Sequence, residues 1–572
     1  MLVKLLRDLL RRSSPVDPRD ASDSAAALAL AARLQENAEW AEAEVVLRGL
    51  LHTHPDHARA TLGLGTCLRH LGRVDEAIDC FERAAVLDPG MADAHLNLGN
   101  FASQRGEIDA ALRAYERVLE LSPSEAGVLA MRAELLMSLG RLEEGVASLR
   151  RAIECDPAQG RFHGTLLLWL NLVPGTSRNA LLQEHKRWAE RHAETPGRER
   201  RVHPNQADPE RRLRIGYVSA YLYRQPVGYF MEPVLRRHDV AQFDIFVYSD
   251  AAYQDEATAR MRMLNLHWRE SAQWDDARLE RAVIEDSIDI LVDLTGHNAG
   301  GRLRVFARKP APVQISYLGY LSTTGLSAMD YRMTDALADP PGVERYYTEK
   351  LLRLPGAQWC YQPDPGAPAV SALPALTPGH VTFGSFHNFA KLNASVFAAW
   401  AALLRALPQA CLLVVGVPAG SAVERLHQAL GAHGIASARV RILPPQRYED
   451  YLRLHAEVDI ALDSFPYNGA TTTCEALWMG VPVVTLAGDA GAARSGVSLL
   501  HSAGLPQLAA ATVNEYVQIA CTLATDIEAL ARLRGELRER LRRSPIMDAT
   551  GFTRGIETAY RSVWREWCAQ PR

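Results

Sequence analysis

Two short segments carry the residues best suited to chemistry. In "NGATTTCEA", residues 468–476, a strand is expected to end at Asp463 just upstream and a helix to begin near the threonines. A helix start offers unpaired N–H groups and a partial positive charge, which suits phosphate oxygens. Gly469 lets the backbone approach closely, and the hydroxyls of Thr471 and Thr472 add donors. Glu475, one turn in, puts a carboxylate where it can accept both hydroxyls of a ribose. The same residues also fit a threonine-capped helix with Glu475 as part of the cap, and spacing alone does not separate the two. "FGSFHNFAKLNASVFAAW", residues 383–400, likewise runs from strand to loop to helix and presents Lys391, one of only five lysines among 63 basic residues. A cation there would neutralise a departing diphosphate. A solvated surface lysine fits that segment equally well.

Composition narrows the partners. With 63 basic against 67 acidic residues in 572, the net charge of -4 gives no general pull toward nucleic acid or an anionic membrane. Eight cysteines lie scattered without a CxxC pair or zinc-finger spacing, and the loops offer no carboxylate cluster for a divalent ion, so no metal site is expected. The opening "MLVKLLRDLLRRSS" reads as a basic amphipathic helix, residues 1–23, whose charges interrupt any signal-peptide core. No apolar run reaches the ~18 residues of a membrane span, and a cytoplasmic protein is expected.

Prolines 55, 89, 123 and 157 recur every 34 residues, the period of the tetratricopeptide helix pair. Gly72, Gly106 and Gly140 keep phase at the turn within each pair, Ala43, Ala77 and Ala111 supply a small face, and Leu47, Phe81, Tyr115 and Leu149 a large one. Residues 24–157 are therefore read as tetratricopeptide repeats whose groove binds protein or peptide, with Asn97 and Asn100 placed to grip a peptide backbone. Helices in 158–210 are expected to cap the array and lead into a polar linker, so that a chain starting near residue 205 should keep nucleotide binding. Beyond it, apolar strands alternate with helices twice over: "LRIGYVSA", "FDIFVYSD", "IDILVDLTGH" and "VQISYLGY" in 211–370, then "HVTFGSF", "ACLLVVGV", "VRILPP", "VDIALDSF" and "VPVVTL" in 371–572. Such alternation predicts two Rossmann-like α/β lobes with ligands at the carboxyl ends of their strands. The fold class is thus an α superhelix followed by a two-lobed α/β region.

"LRIGYVSA", "DILVDLTGH", "KPAPVQISYLGY", "TTGLSAMDYRMTD" and "NGATTTCEALWMGVPVVTL" together resemble the O-GlcNAc transferase family, with its bacterial members and the related plant O-fucosyltransferases, from about Leu213 to the C-terminus. The resemblance implies a GT-B fold and an inverting, metal-independent transfer of GlcNAc from UDP-GlcNAc to Ser or Thr of proteins recruited by the repeats. It places the diphosphate on Lys391, Asn388, Gly469, Thr471 and Thr472, the ribose on Glu475, and the uracil against Tyr451. Gly319 and Tyr320 fall in the loop facing the sugar, and His297 and Arg302, in "GHNAGGR", fall near acceptor and donor. Two positions depart. The family histidine before a proline is Gln225 here, with Tyr221 in place of an aspartate, and the histidine of the Asn-Gly-His-Thr-Thr loop is Ala470. Glutamine cannot take a proton at neutral pH. Alternatives are a transferase using another donor or acceptor, such as GDP-fucose or asparagine, and a nucleotide-sugar-binding scaffold with little activity.

Overall fold

The computed structural model describes residues 19–194, 201–377 and 379–570, so the helix expected over 1–23 lies almost wholly outside the described residues. Two compact units divide the chain: Met1–Leu136 with Glu154–Asp156, and Met137–Ile153 with Pro157–Arg572.

The first unit is built of antiparallel helix pairs, among them Ala58–His70 with Val74–Leu87 and Ala92–Gln104 with Ile108–Leu121. Ala43, Ala77, Ala111, Leu47, Phe81 and Tyr115 are all buried, as their spacing predicts. Gly65 and Gly99 sit where a Cβ would fall 2.8 Å from the Phe81 ring and 2.5 Å from the Tyr115 ring, so each large residue packs directly on the backbone of its partner helix. Gly72 and Gly106 close their turns with φ of 78° and 74°; in the degenerate first repeat Ala38 takes that slot with φ 59°. Asn100 accepts a hydrogen bond from the Tyr115 hydroxyl at 2.8 Å, and Asn97 donates to the Asp93 carbonyl at 2.8 Å, so both asparagines already have partners inside the repeat.

The second unit holds two parallel sheets. In the first lobe β1 (Leu213–Ser219), β2 (Phe243–Ser249), β3 (His267–Glu270), β4 (Ile290–Asp293), β5 (Val313–Ser316), β6 (Tyr331–Asp335) and β7 (Lys350–Leu354) lie in the order β3-β2-β1-β4-β5-β6-β7. The second lobe has β8 (Thr382–Ser385), β9 (Cys411–Val415), β10 (Val440–Leu443), β11 (Ile460–Leu462), β12 (Val483–Leu486) and β13 (Ala509–Ala510) in the order β10-β9-β8-β11-β12-β13. Each sheet reverses its winding once, between β1 and β4 and between β8 and β11. A crevice opens at such a point, because the flanking loops leave in opposite directions.

Two expected boundaries shift. Helices Gly160–Leu170 and Arg178–His192 belong to the first lobe: Leu167 and Trp188 share a buried cluster with Val218, Tyr248 and Leu291. A chain starting near residue 205 would therefore open that core. The last helix, Ala549–Cys568, leaves the second lobe and packs on the first, where Tyr560 meets Tyr217 at 3.1 Å, Glu557 meets His238 at 3.0 Å, and Glu566 accepts from Tyr331 at 2.7 Å.

Candidate active site

Because β8 and β11 are neighbours, with Phe383 opposite Ile460 and Gly384 opposite Ala461, the loops that follow them emerge side by side. One carries Lys391 and the other Asn468, Gly469 and the start of helix Thr471–Trp478. Asn393 ties the two together: its Oδ1 caps helix Ala394–Ala406, and its Nδ2 donates to the Phe465 carbonyl at 2.6 Å. Lys391 Nζ donates to the Asn468 carbonyl at 3.1 Å and lies 4.4 Å from the centre of the Tyr467 ring. Burial lowers its pKa to about 8, against the pull of Asp463. Lys391 is half-buried, with its amine turned across the loop pair.

Asp463, at the end of β11, organises the turn. It accepts from the N–H groups of Ser464 and Gly469 at 2.8 and 2.7 Å and from the Thr485 hydroxyl at 2.6 Å, while burial raises its pKa to about 6. His387 bridges Asp463 and the helix start, with Nε2 3.2 Å from Asp463 Oδ1 and Nδ1 3.3 Å from Thr472 Oγ1. Burial and then Lys391 hold this imidazole neutral, with a pKa of about 3. A Cβ on Gly469 would stand 2.3 Å from Thr472 Oγ1 and 2.7 Å from the His387 ring, so close approach is what requires glycine there. Thr471 and Thr472, half-buried, open the helix; Thr473 donates to the Gly469 carbonyl at 3.2 Å. The residue at the cap is Ala470, whose side chain caps nothing, and Glu475 points elsewhere, so the capping alternative also falls.

Glu475 is 4% exposed. Its Oε1 accepts from the Tyr448 hydroxyl at 3.0 Å and its Oε2 from Tyr451 at 2.8 Å, and burial raises its pKa to about 7. The Tyr451 ring stands edge-on to Phe386 at 5.5 Å and to His455 at 5.2 Å. Asn388 is exposed and caps the short turn Phe389–Lys391 by accepting from the Ala390 N–H at 2.9 Å, so it shapes the loop that holds the lysine.

The first lobe answers with the loops after β1, β4 and β5. Gln225 is the N-cap residue of helix Pro226–Leu235, half-buried, and its side chain makes no cap bond. Tyr221 donates to the Ala299 carbonyl at 2.8 Å, joining the loops after β1 and β4. His297 donates through Nε2 to the Thr324 carbonyl at 2.8 Å and packs edge-on to Trp188 at 4.5 Å; burial keeps it neutral. The remaining positions of these loops have partners within the α/β unit. Arg302 pairs with Asp250 at 3.0 Å and Asp276 at 3.1 Å, so its charge is satisfied inside the lobe. Tyr320 is enclosed, its hydroxyl 2.6 Å from His185 Nε2 and 3.2 Å from Asn171 Nδ2, so its polar end is held by helices 160–192. Gly319 lies where a Cβ would fall 1.9 Å from the Leu294 carbonyl oxygen, and its own carbonyl accepts from Asn298 at 2.7 Å. It is the crossing point of two loops.

Sequence reading missed Tyr448, the second phenol on Glu475. The signal was faint: a tyrosine at the first position of helix Tyr448–Leu454, one turn before Tyr451.

A family model described as glycosyl transferase family 41 matches residues 166–360 and 372–556, and one for the tetratricopeptide repeat matches 28–92 and 96–160. A Petunia hybrida protein named "Probable UDP-N-acetylglucosamine--peptide N-acetylglucosaminyltransferase SPINDLY" is 41% identical over 409 residues, 70% of this chain and 44% of its own. The UDP-N-acetylglucosamine--peptide N-acetylglucosaminyltransferase of Caenorhabditis elegans is 24% identical over 62% of this chain and 41% of its own. The chain spans under half the length of these curated relatives. A solved structure of a Thermobaculum terrenum O-GlcNAc transferase mutant superposes with a TM-score of 0.74 at 37% identity, over 97% of this chain and 99% of that one.

Proposed function

Since this chain belongs to glycosyl transferase family 41, with its tetratricopeptide repeats and two Rossmann-like lobes, we propose that it transfers GlcNAc from UDP-GlcNAc to Ser or Thr hydroxyls of proteins bound by the repeats. The observation that carries this reading is Lys391, a half-buried amine beside the start of helix Thr471–Trp478 at the point where the second sheet reverses. Lys391 has three N–H donors, and its bond to Asn468 uses one. With the helix N–H groups and the hydroxyls of Thr471 and Thr472 it can meet a diphosphate and stabilise the charge that builds on it as the sugar departs. Uracil lies against Tyr451 and ribose on Glu475. The acceptor hydroxyl attacks the anomeric carbon from the opposite face, inverting its configuration, and no divalent ion is needed, because the lysine and helix start do that electrostatic work.

A scaffold with weak activity is favoured by one feature, Gln225, which stands at the cap of helix Pro226–Leu235 and cannot accept a proton. Incubation with radiolabelled UDP-GlcNAc and cell-lysate proteins in EDTA tests the proposal, with GDP-fucose as a parallel donor. Label from UDP-GlcNAc on protein, released by alkaline β-elimination, is expected. Transfer only from GDP-fucose, transfer only with added metal, or none at all would contradict it.

A further inference from the structure

Tyr448 joins the two lobes at Glu475. Its hydroxyl holds one carboxylate oxygen at 3.0 Å while Tyr451 holds the other at 2.8 Å. The two phenols are not equivalent. Tyr451 packs edge-on against Phe386 and His455, whose own rings stack at 3.9 Å, one turn inside its helix. Tyr448 is half-buried at the helix's first position and is gripped from the other lobe. The Tyr229 ring lies 6.1 Å from it with 24° between planes, and the Arg224 guanidinium 4.8 Å from its centre. Arg224 is anchored in turn on Asp364 at 2.9 Å. Arg224 directly precedes Gln225, and Tyr229 stands on the helix that Gln225 begins.

A buried carboxylate keeps its hydrogen bonds, because losing one strands a desolvated charge. A ribose presents two vicinal hydroxyls that span the two oxygens of one carboxylate. Each oxygen of Glu475 can accept more than one hydrogen bond, but the carboxylate is enclosed with a phenol on either oxygen, so a diol reaches it only where a phenol moves aside.

We propose that Tyr448 competes with the nucleotide's ribose for Glu475, so that donor binding exchanges the tyrosine hydroxyl for the diol and frees Arg224 and Tyr229 of the first lobe from their grip on its ring. The proposal rests on the assignment of Glu475 to the ribose. Competition lowers apparent affinity by the fraction of molecules in which Tyr448 has swung aside. It also ties nucleotide occupancy to the segment around Gln225, on the acceptor side.

UDP titrated calorimetrically into the intact chain and into Tyr448→Phe, Arg224→Ala and Glu475→Ala separates the possibilities. Phenylalanine keeps the ring, the stack and the cation contact and removes only the competing hydroxyl. UDP should bind Tyr448→Phe about three- to tenfold tighter than the parent, the range of one net hydrogen bond. Arg224→Ala, which loosens the same ring from the other lobe, should shift affinity in the same direction, and Glu475→Ala should bind roughly tenfold weaker or worse. If Tyr448 merely braced Glu475, Tyr448→Phe would bind more weakly. Equal or weaker binding by Tyr448→Phe and Arg224→Ala, with Glu475→Ala still impaired, overturns the competition and leaves the ribose site standing. Unchanged affinity in Glu475→Ala overturns both.

Discussion

In the proposed function Lys391 and Glu475 meet one ligand with opposite charges, and burial moves both pKa values toward neutrality, to about 8 and about 7. The signs oppose. Lys391 carries its charge below about pH 8 and loses diphosphate attraction above it; Glu475 is ionised above about pH 7 and below it can no longer accept both ribose hydroxyls. kcat/KM for the donor, which reports the free protein, is therefore expected to peak between these values and fall on both sides. Lys391→Met should lower transfer by about 100-fold or more, as loss of one transition-state donor does, and flatten the alkaline limb. An alkaline limb unchanged in Lys391→Met would assign it to another group. The place of Lys391 was legible because its segment runs from a strand through a loop into a helix. Arg302 and Tyr320 were placed by motif, but their polar ends are decided by partners far along the chain, Asp250 and His185, which no local pattern reveals. Tyr448 was illegible for the same reason, since its partner lies 27 residues on.

Among elements, the repeat turns offer a matched pair. Gly106 and Gly140 occupy the same left-handed slot, with φ of 74° and 69°. A Cβ on Gly106 would meet open space, whereas one on Gly140 would fall 2.6 Å from Arg425 Nη1 and 3.4 Å from the Leu392 carbonyl oxygen, beside the turn that carries Lys391. Arg425 donates to the Leu139 carbonyl at 2.7 Å. Gly106→Ala should cost about 1 kcal/mol from backbone strain alone, and Gly140→Ala about 1 kcal/mol more as the Arg425 bond is disturbed, with weaker UDP binding only in the second. Equal denaturant stability and equal UDP affinity for the two variants would show that the contact carries no weight. The 34-residue period and the apolar strands β1, β2, β4, β5, β8, β9, β11 and β12 were readable because burial on both faces writes a continuous apolar run. Strands β3 and β7, "HWRE" and "KLLRL", lie at the edges of their sheet and carry charge, and β13 is two residues long, so none has a period to read.

In the α/β unit as a whole, the candidate site residues gather beside the points where each sheet reverses, and chain segments distant in sequence close the arrangement. The last helix returns to the first lobe through Tyr560, Glu557 and Glu566, and Ser498 of the second lobe donates to Asp335 of the first at 2.6 Å. The two parallel sheets followed from the alternation of strands and helices, but these returns did not, because a single helix amphipathic in sequence does not say which lobe it covers. Both lobes contribute to the proposed site: Lys391, Thr471, Thr472 and Glu475 from one, Arg224, Gln225 and Tyr229 from the other. The most direct test of that site is a crystal structure of the chain with UDP-GlcNAc bound. The nucleotide should lie between the lobes with its diphosphate on Lys391 and the first turn of helix Thr471–Trp478, its ribose hydroxyls on Glu475 and its uracil beside Tyr451. Density for the nucleotide anywhere else, or a diphosphate out of hydrogen-bonding reach of Lys391, would contradict the account.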